Sequence, residues 1–189
     1  MNPLHWAFDK LYPIIRWLHE RVSGNPWFDR VRGQLWIGGA PSYGRDKQFL
    51  LDHDIGAVLD MRAERQGDRA FYAQHDIEYL RLPVLDMLMP PADVLDRGVD
   101  FVQRQLEAGR SVLVHCAKGR GRSAAIVTAY LMAHEGLSYQ EAYELLKGQR
   151  PLITLEGRHR RALENWQAAR ANVPKPPAEV GRQHPAGAS

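Results

Sequence analysis

The sequence predicts an α/β domain with a central, mostly parallel sheet flanked by helices. Short apolar runs alternate with segments of helical period across most of the chain. One run, Ser111–His115 (SVLVH), has no charge between its ends, as a strand covered on both faces requires. Directly after it comes a Gly-rich, cationic loop and then a helical pattern, and the carboxyl ends of strands are where open α/β sheets bind ligands.

The 189 residues leave room for one core. With 44% hydrophobic, 25% charged and 9% aromatic residues, the composition is that of a globular protein and excludes a disordered or collagen-like chain. A formal charge of +3 is too small to argue for nucleic acid, so no nucleic-acid partner is expected. Cys116 is the sole cysteine, which excludes an intramolecular disulfide and a thiolate zinc site and fits a reducing, cytoplasmic compartment. No metal and no cofactor is expected.

Residues 1–30 read as an amphipathic N-terminal segment holding three of the five tryptophans, Trp6, Trp17 and Trp27. Leu11, Ile14, Ile15, Leu18 and Val22 fall at helical spacing. Asp9, Lys10 and Arg16 interrupt the run, so neither a secretion signal nor a membrane span is expected. Two uses remain open: the stripe caps the core, or residues 4–28 contact a membrane peripherally with Lys10, Arg16, Arg21 and Arg30 facing anionic lipid.

Within the expected domain, 31–171, Leu35–Ile37 reads as a strand, Asp46–His53 as a helix and Ala57–Leu59 as a buried strand. Arg69–His75 reads as a short helix, and Ile77–Leu82 as a strand that stops at Pro83. Pro90-Pro91 opens a helix to about Ala108 with Val94, Leu95, Gly98, Val99, Phe101, Val102 and Leu106 inward, and Gly109 ends it. After Ser111–His115 come helices over about Arg122–Glu135, Tyr139–Gln149 and Arg158–Ala171, the second opened by a Ser138/Glu141 capping box. Residues 172–189, rich in Pro, Ala and Gly, read as a disordered tail.

The chemistry concentrates in His115-Cys116-Ala117-Lys118-Gly119-Arg120-Gly121-Arg122-Ser123. A helix N-terminus presents unpaired N–H groups, and Gly119 and Gly121 permit backbone angles that turn several amides onto one anion. Residues 117–121 are therefore expected to bind phosphate, with Lys118, Arg120 and Arg122 adding charge. The same environment should hold Cys116 as thiolate, a nucleophile aimed at bound phosphorus. Arg122 can grip two phosphate oxygens with its planar fork, and Ser123 can hydrogen-bond the sulfur.

This Cys-x5-Arg loop between a buried strand and a helix resembles that of the cysteine-dependent protein tyrosine and dual-specificity phosphatases, over about Leu35–Trp166. The resemblance implies a dual-specificity-phosphatase-like single domain that hydrolyses phosphate monoesters through a cysteinyl phosphate. It also implies Cys116 as nucleophile, Arg122 as phosphate-binding arginine, Ser123 as the hydroxyl that eases thiolate departure, and an upstream aspartate as general acid. Asp86 is the sole carboxylate of the Leu82–Pro91 loop and is assigned that role; Asp93 is next, but its place in a helix's first turn already has a structural reason. His115 is read as orienting the loop. The family's downstream Asn or Gln that positions water is not identifiable in LITLEGRHRR.

Asp60, Arg62, Glu64 and Arg65 follow the second strand and either edge the pocket or, the preferred reading, form a solvated loop; Arg158, His159, Arg160 and Arg161 put positive charge at a helix start, where they either meet an external anion or, the preferred reading, form a solvated face. Lys118 and Arg120 resemble the basic loops of lipid-directed members, and VLDMLMPP resembles the phosphatidylglycerophosphate phosphatases, which points to a phospholipid or inositol phosphate substrate. Phosphoprotein hydrolysis and non-catalytic phospho-ligand binding are the alternatives. A dinucleotide fold fails because no second strand with a terminal carboxylate follows, and a sulfurtransferase would need neither Arg122 nor Asp86.

Overall fold

Strands β1 (Phe28–Arg32), β2 (Leu35–Gly38), β3 (Ile55–Arg62), β4 (Glu78–Val84) and β5 (Ser111–His115) form one sheet in the order β1-β2-β5-β3-β4. This computed structural model describes residues 14, 16, 17, 26–155 and 157–171. The pairs β2·β5, β3·β5 and β3·β4 are parallel, and β1 joins β2 antiparallel. The helices are α1 (Gly44–Asp52), α2 (Arg69–Gln74), α3 (Ala92–Glu107), α4 (Arg122–His134), α5 (Tyr139–Gln149) and α6 (Gly157–Ala171).

β5 occupies the centre because it is apolar on both sides. Val112 and Val114 join the cluster that includes Val99 and Val102 of α3, Ile126 of α4, Leu146 of α5 and Leu163 of α6. Leu113 faces the other way, into a cluster with Leu50 of α1, Tyr72 of α2 and Trp27. Two helical layers thus enclose the sheet, and α4, buried from Arg122 to Met132, is its central helix. The inward residues expected of α3 are buried from Val94 to Val102, with Leu106 packed at the margin. Gly109 follows α3 at φ +76°, and the Ser138/Glu141 capping box opens α5.

Two strand assignments change. β1 was not anticipated; its N-terminal end pairs with the end of β2, and the boundary drawn at residue 30 falls within it. β4 runs through Pro83 to Val84, which an edge strand tolerates because one row of its N–H groups needs no partner.

Of the N-terminal segment, Ile14, Arg16 and Trp17 are described and helical. Their orientation reverses the one expected. Arg16 is buried, its guanidinium paired with both oxygens of Asp46 (2.6 and 2.5 Å) and lying 4.4 Å from the Trp27 ring centroid, so it does not face lipid. Ile14 and Trp17 are exposed instead. The remaining calls on the segment, and the tail, lie outside the described residues. Among those residues no helix is long and apolar enough to cross a membrane.

Candidate active site

β5 ends at His115, and the loop 116–121 carries the chain into the first turn of α4. Its carbonyls are each held away from the loop's interior. Cys116 O faces His115 Nδ1 (3.2 Å), and Ala117 O accepts from Ala40 N–H (3.2 Å). Lys118 O and Gly119 O accept from Arg150 Nη2 and Nε (2.9 and 2.8 Å), and Arg120 O accepts from Thr154 N–H (3.0 Å). Turning the carbonyl dipoles outward leaves the amides to converge, which is what an anion-binding loop needs. Gly119 sits at φ +67° with its Cα against Gly38, where a Cβ would lie 2.4 Å from the Gly38 carbonyl. The left-handed backbone expected at Gly121 does not occur; it lies at φ −120° as the residue preceding α4.

Cys116 Sγ lies at the base of this ring, accepting from Gly119 N–H (3.2 Å) and Ser123 Oγ–H (3.4 Å). Burial pushes the thiol up. The Arg122 guanidinium, the Ser123 hydroxyl and the N–H groups of Ser123 and Arg120 outweigh that and hold it below the ordinary thiol value.

Arg122 is 2% exposed, and four of its five N–H groups have partners. Nη1 donates to Glu64 Oε2 and Val84 O (both 2.8 Å), while Nη2 donates to Glu64 Oε1 (2.9 Å) and pairs with Asp86 Oδ1 (2.9 Å). Nε, the fifth, is buried with no partner among the described residues. Burial opposes the charge, but Glu64, the Cys116 sulfur and Asp86 leave the guanidinium more basic than usual. Burial likewise raises Glu64, yet its fork-to-fork pairing with Arg122 keeps its carboxyl below the usual range.

Glu64 therefore does not belong to a solvated loop. The register pairing Asp60 with His115 carries residues 61–64 beyond the end of β5 and over the phosphate loop. Asp60 and Arg62 are buried. Asp60 accepts from Arg62 Nε and Nη2 (2.9 and 2.8 Å) and from Tyr79 Oη (2.9 Å), whereas Glu64, its side chain 23% exposed, and Arg65 reach the surface. Asp60 Oδ1 is 3.8 Å from His115 Nε2, and burial pulls His115 down to about 4, so the ring is neutral at physiological pH.

Above the loop lies a cleft of about 250 Å³. Asp86, 54% exposed on the turn after β4, reaches into it; Asp93, in the first turn of α3, does not line it. Thr154, Arg158 and His159 also line it. The start of α6 is thus divided: Arg158 and buried His159 belong to the cleft, whereas Arg160 pairs with Glu164 on the surface and Arg161 is exposed. Neither Asn nor Gln lines the cleft among the described residues; Thr154, Arg158 and His159 are the polar side chains this segment contributes.

Arg150 escaped sequence reasoning, and so did the pairing of Glu64 with Arg122. A buried arginine needs an acceptor, and the carboxylate after β3 is the one that a parallel sheet delivers to the same end. Nothing local distinguishes Arg150, which reaches Asp29 and Pro26 O as well as the loop.

Residues 35–169 match the family described as dual specificity phosphatase, catalytic domain. The chain belongs to that family, and it is a phosphatase. Over 154 residues it is 30% identical to the rat phosphatidylglycerophosphatase and protein-tyrosine phosphatase 1, covering 77% of this chain and 78% of that protein. It is 36% identical over 128 residues to human dual specificity phosphatase 28, covering 65% and 68%. A crystal structure of PTPMT1 in complex with PI(5)P superposes with TM-score 0.71 at 28% identity, covering 77% of this chain and 99% of that one.

Proposed function

We propose that this phosphatase removes the phosphate monoester of an anionic phospholipid or inositol phosphate through a cysteinyl-phosphate intermediate. The observation that carries the reading is the Cys116 sulfur lying under outward-braced carbonyls beside an Arg122 whose Nε has no partner among the described residues. A phosphate seated there meets the loop amides and the Nε/Nη2 edge of Arg122, taking the contact that Asp86 now makes with Nη2. The Cys116 thiolate then forms the S–P bond as the P–O bond to the leaving group breaks, and Asp86 gives that oxygen its proton. In the second step water attacks phosphorus and passes a proton to Asp86. The S–P bond breaks, and Ser123 Oγ–H stabilises the departing sulfur. His115, donating to the Cys116 carbonyl, orients the loop.

The lipid reading is supported by four cations (Lys118, Arg120, Arg122 and Arg158) against one carboxylate in the cleft lining, and by the relatives' names. Peripheral membrane contact by residues 4–28 belongs to the same proposal, supported by exposed Ile14 and Trp17. Turnover of phosphatidylglycerophosphate, phosphoinositides and a phosphotyrosine peptide, each dispersed in the same detergent, tests it. A kcat/KM at least tenfold higher for a lipid is expected, and equal or higher turnover of the peptide overturns the substrate assignment. Cys116→Ser should abolish turnover while retaining phosphate binding. If it turned over, the nucleophile assignment would fail; if the native chain only bound phosphate, it would be a binding module.

A further inference from the structure

The large exposed hydrophobic side chains of the described residues are not scattered. They are Leu85, Met87 and Leu88, exposed by 58%, 74% and 52%, together with Ile14, Trp17 and Tyr43. The first three flank Asp86 on the loop that leaves β4, and Met87 stands at its tip with φ +66°. The second three surround the loop that leaves β2, because Arg16 lies over the Tyr43 ring (4.8 Å) and pairs with Asp46 in the first turn of α1. Strands β2, β5, β3 and β4 are mutually parallel, so both loops emerge at the end of the sheet that bears the phosphate loop. At ~4.8 Å per strand they stand roughly 14 Å apart with the phosphate loop between them.

Between these apolar rims the charge is cationic. Lys118, Arg120 and Arg158 line the cleft mouth, and Arg158 Nη2 donates to Met87 O (3.3 Å), tying a cation to the apolar tip. Apolar side chains beside cations match the boundary of an anionic bilayer, where acyl chains lie just beneath phosphate headgroups. A protein partner offering dense negative charge around apolar pockets would fit less simply.

Resting on the phospholipid reading above, we propose that the catalytic end of the sheet is a bilayer-docking face, and that Leu85, Met87 and Leu88 of the Asp86 loop insert into an anionic membrane. Insertion brings the cleft mouth to the headgroup plane, and it sets Asp86 against the phosphate of a lipid that stays in the membrane. Docking at this loop is separate from any contact made beside Arg16, since Arg16 lies over Tyr43, on the other side of the phosphate loop from Asp86.

Co-sedimentation of the full-length chain with phosphatidylcholine vesicles carrying or lacking 30% phosphatidylglycerol, neither a phosphate monoester, tests docking independently of turnover. Binding is expected to need the anionic lipid, to weaken with salt, and to fall about tenfold for each apolar side chain removed in Leu85→Ser and Met87→Ser. Both positions are exposed, and an unchanged melting temperature excludes misfolding. Hydrogen exchange at residues 84–89 should slow on vesicle binding. Native-like binding by both variants, protection confined to the N-terminal segment, equal binding to neutral vesicles, or no vesicle binding would each overturn the proposal. So would concentration-dependent self-association that protects 84–89 without lipid. None of these outcomes alters the substrate ranking in detergent, so the two proposals fail separately.

Discussion

At the scale of single residues, the proposed reactivity rests on charges that neutralise one another out of water. Cys116 is pushed up by burial and pulled further down by Arg122, Ser123 and the loop amides. The sign follows: a cation stabilises the thiolate, so the sulfur ionises at lower pH than a free thiol, whose value is about 8.5. Iodoacetamide alkylation of the native protein should therefore reach half its maximal rate below that pH. Ser123→Ala, which removes one donor to the sulfur, should move the midpoint upward; a native midpoint at or above the free-thiol value would refute the thiolate. Arg122 in turn depends on Glu64, which takes one edge of its fork and leaves the Nε/Nη2 edge for the phosphate proposed to bind there. Glu64→Ala should lower kcat/KM for p-nitrophenyl phosphate by roughly 10²-fold, since a misplacement of about 1 Å costs that much. An unaltered value would mean that Val84 O and Asp86 suffice to hold the guanidinium.

Among the elements, the phosphate loop is a short junction whose shape is maintained from outside. β2 supplies Gly38 against Gly119, the segment after β2 supplies the Ala40 N–H, and Arg150 at the end of α5 holds two carbonyls. Arg150 also binds Asp29 of β1, so an edge strand, a helix end and the loop share one buried guanidinium. Arg150→Met keeps most of the volume and removes the donors, taking from Asp29 its buried guanidinium. A loss of about 3 kcal/mol in urea unfolding is expected, with kcat/KM falling beyond what the folded fraction explains. Arg150→Lys, which keeps charge without the fork, should recover stability more than turnover. Equal loss of both in the two variants would make Arg150 a stability residue only.

For the molecule as a whole, the parallel arrangement of β2, β5, β3 and β4 gathers at one end the loops that carry Asp86, Glu64, Cys116 and Tyr43. The N-terminal segment joins this assembly through the buried Arg16–Asp46 pair, whose acceptor Oδ2 also takes the N–H groups of Ser42 and Tyr43. Removing one partner of such a pair leaves a charge buried alone. Arg16→Ala should cost about 3 kcal/mol in thermal unfolding and expose the segment before Trp27 to limited trypsin digestion. Resistance equal to that of the native chain would show that other contacts hold the segment.

Helices with a strong apolar stripe and the apolar β5 were legible because their signals are periodic and local, and so was the Cys116–Ser123 junction, whose parts adjoin in sequence. β1 was hidden because Phe28–Arg32 mixes three charges into a five-residue edge strand, and Pro83 concealed the end of β4. Sequence by itself determined the α/β class, the glycine-rich junction that holds Cys116 and Arg122 together, and an aspartate on the preceding loop. Only the tertiary structure decided which groups complete that site. Glu64 meets Arg122 across 58 positions and Arg150 meets Asp29 across 121, while Arg16 turns inward to Asp46 across 30. Contacts at such separations leave no periodic mark; they arise when a parallel sheet brings distant loops to one end and each buried charge pairs with an opposite one to offset the loss of water.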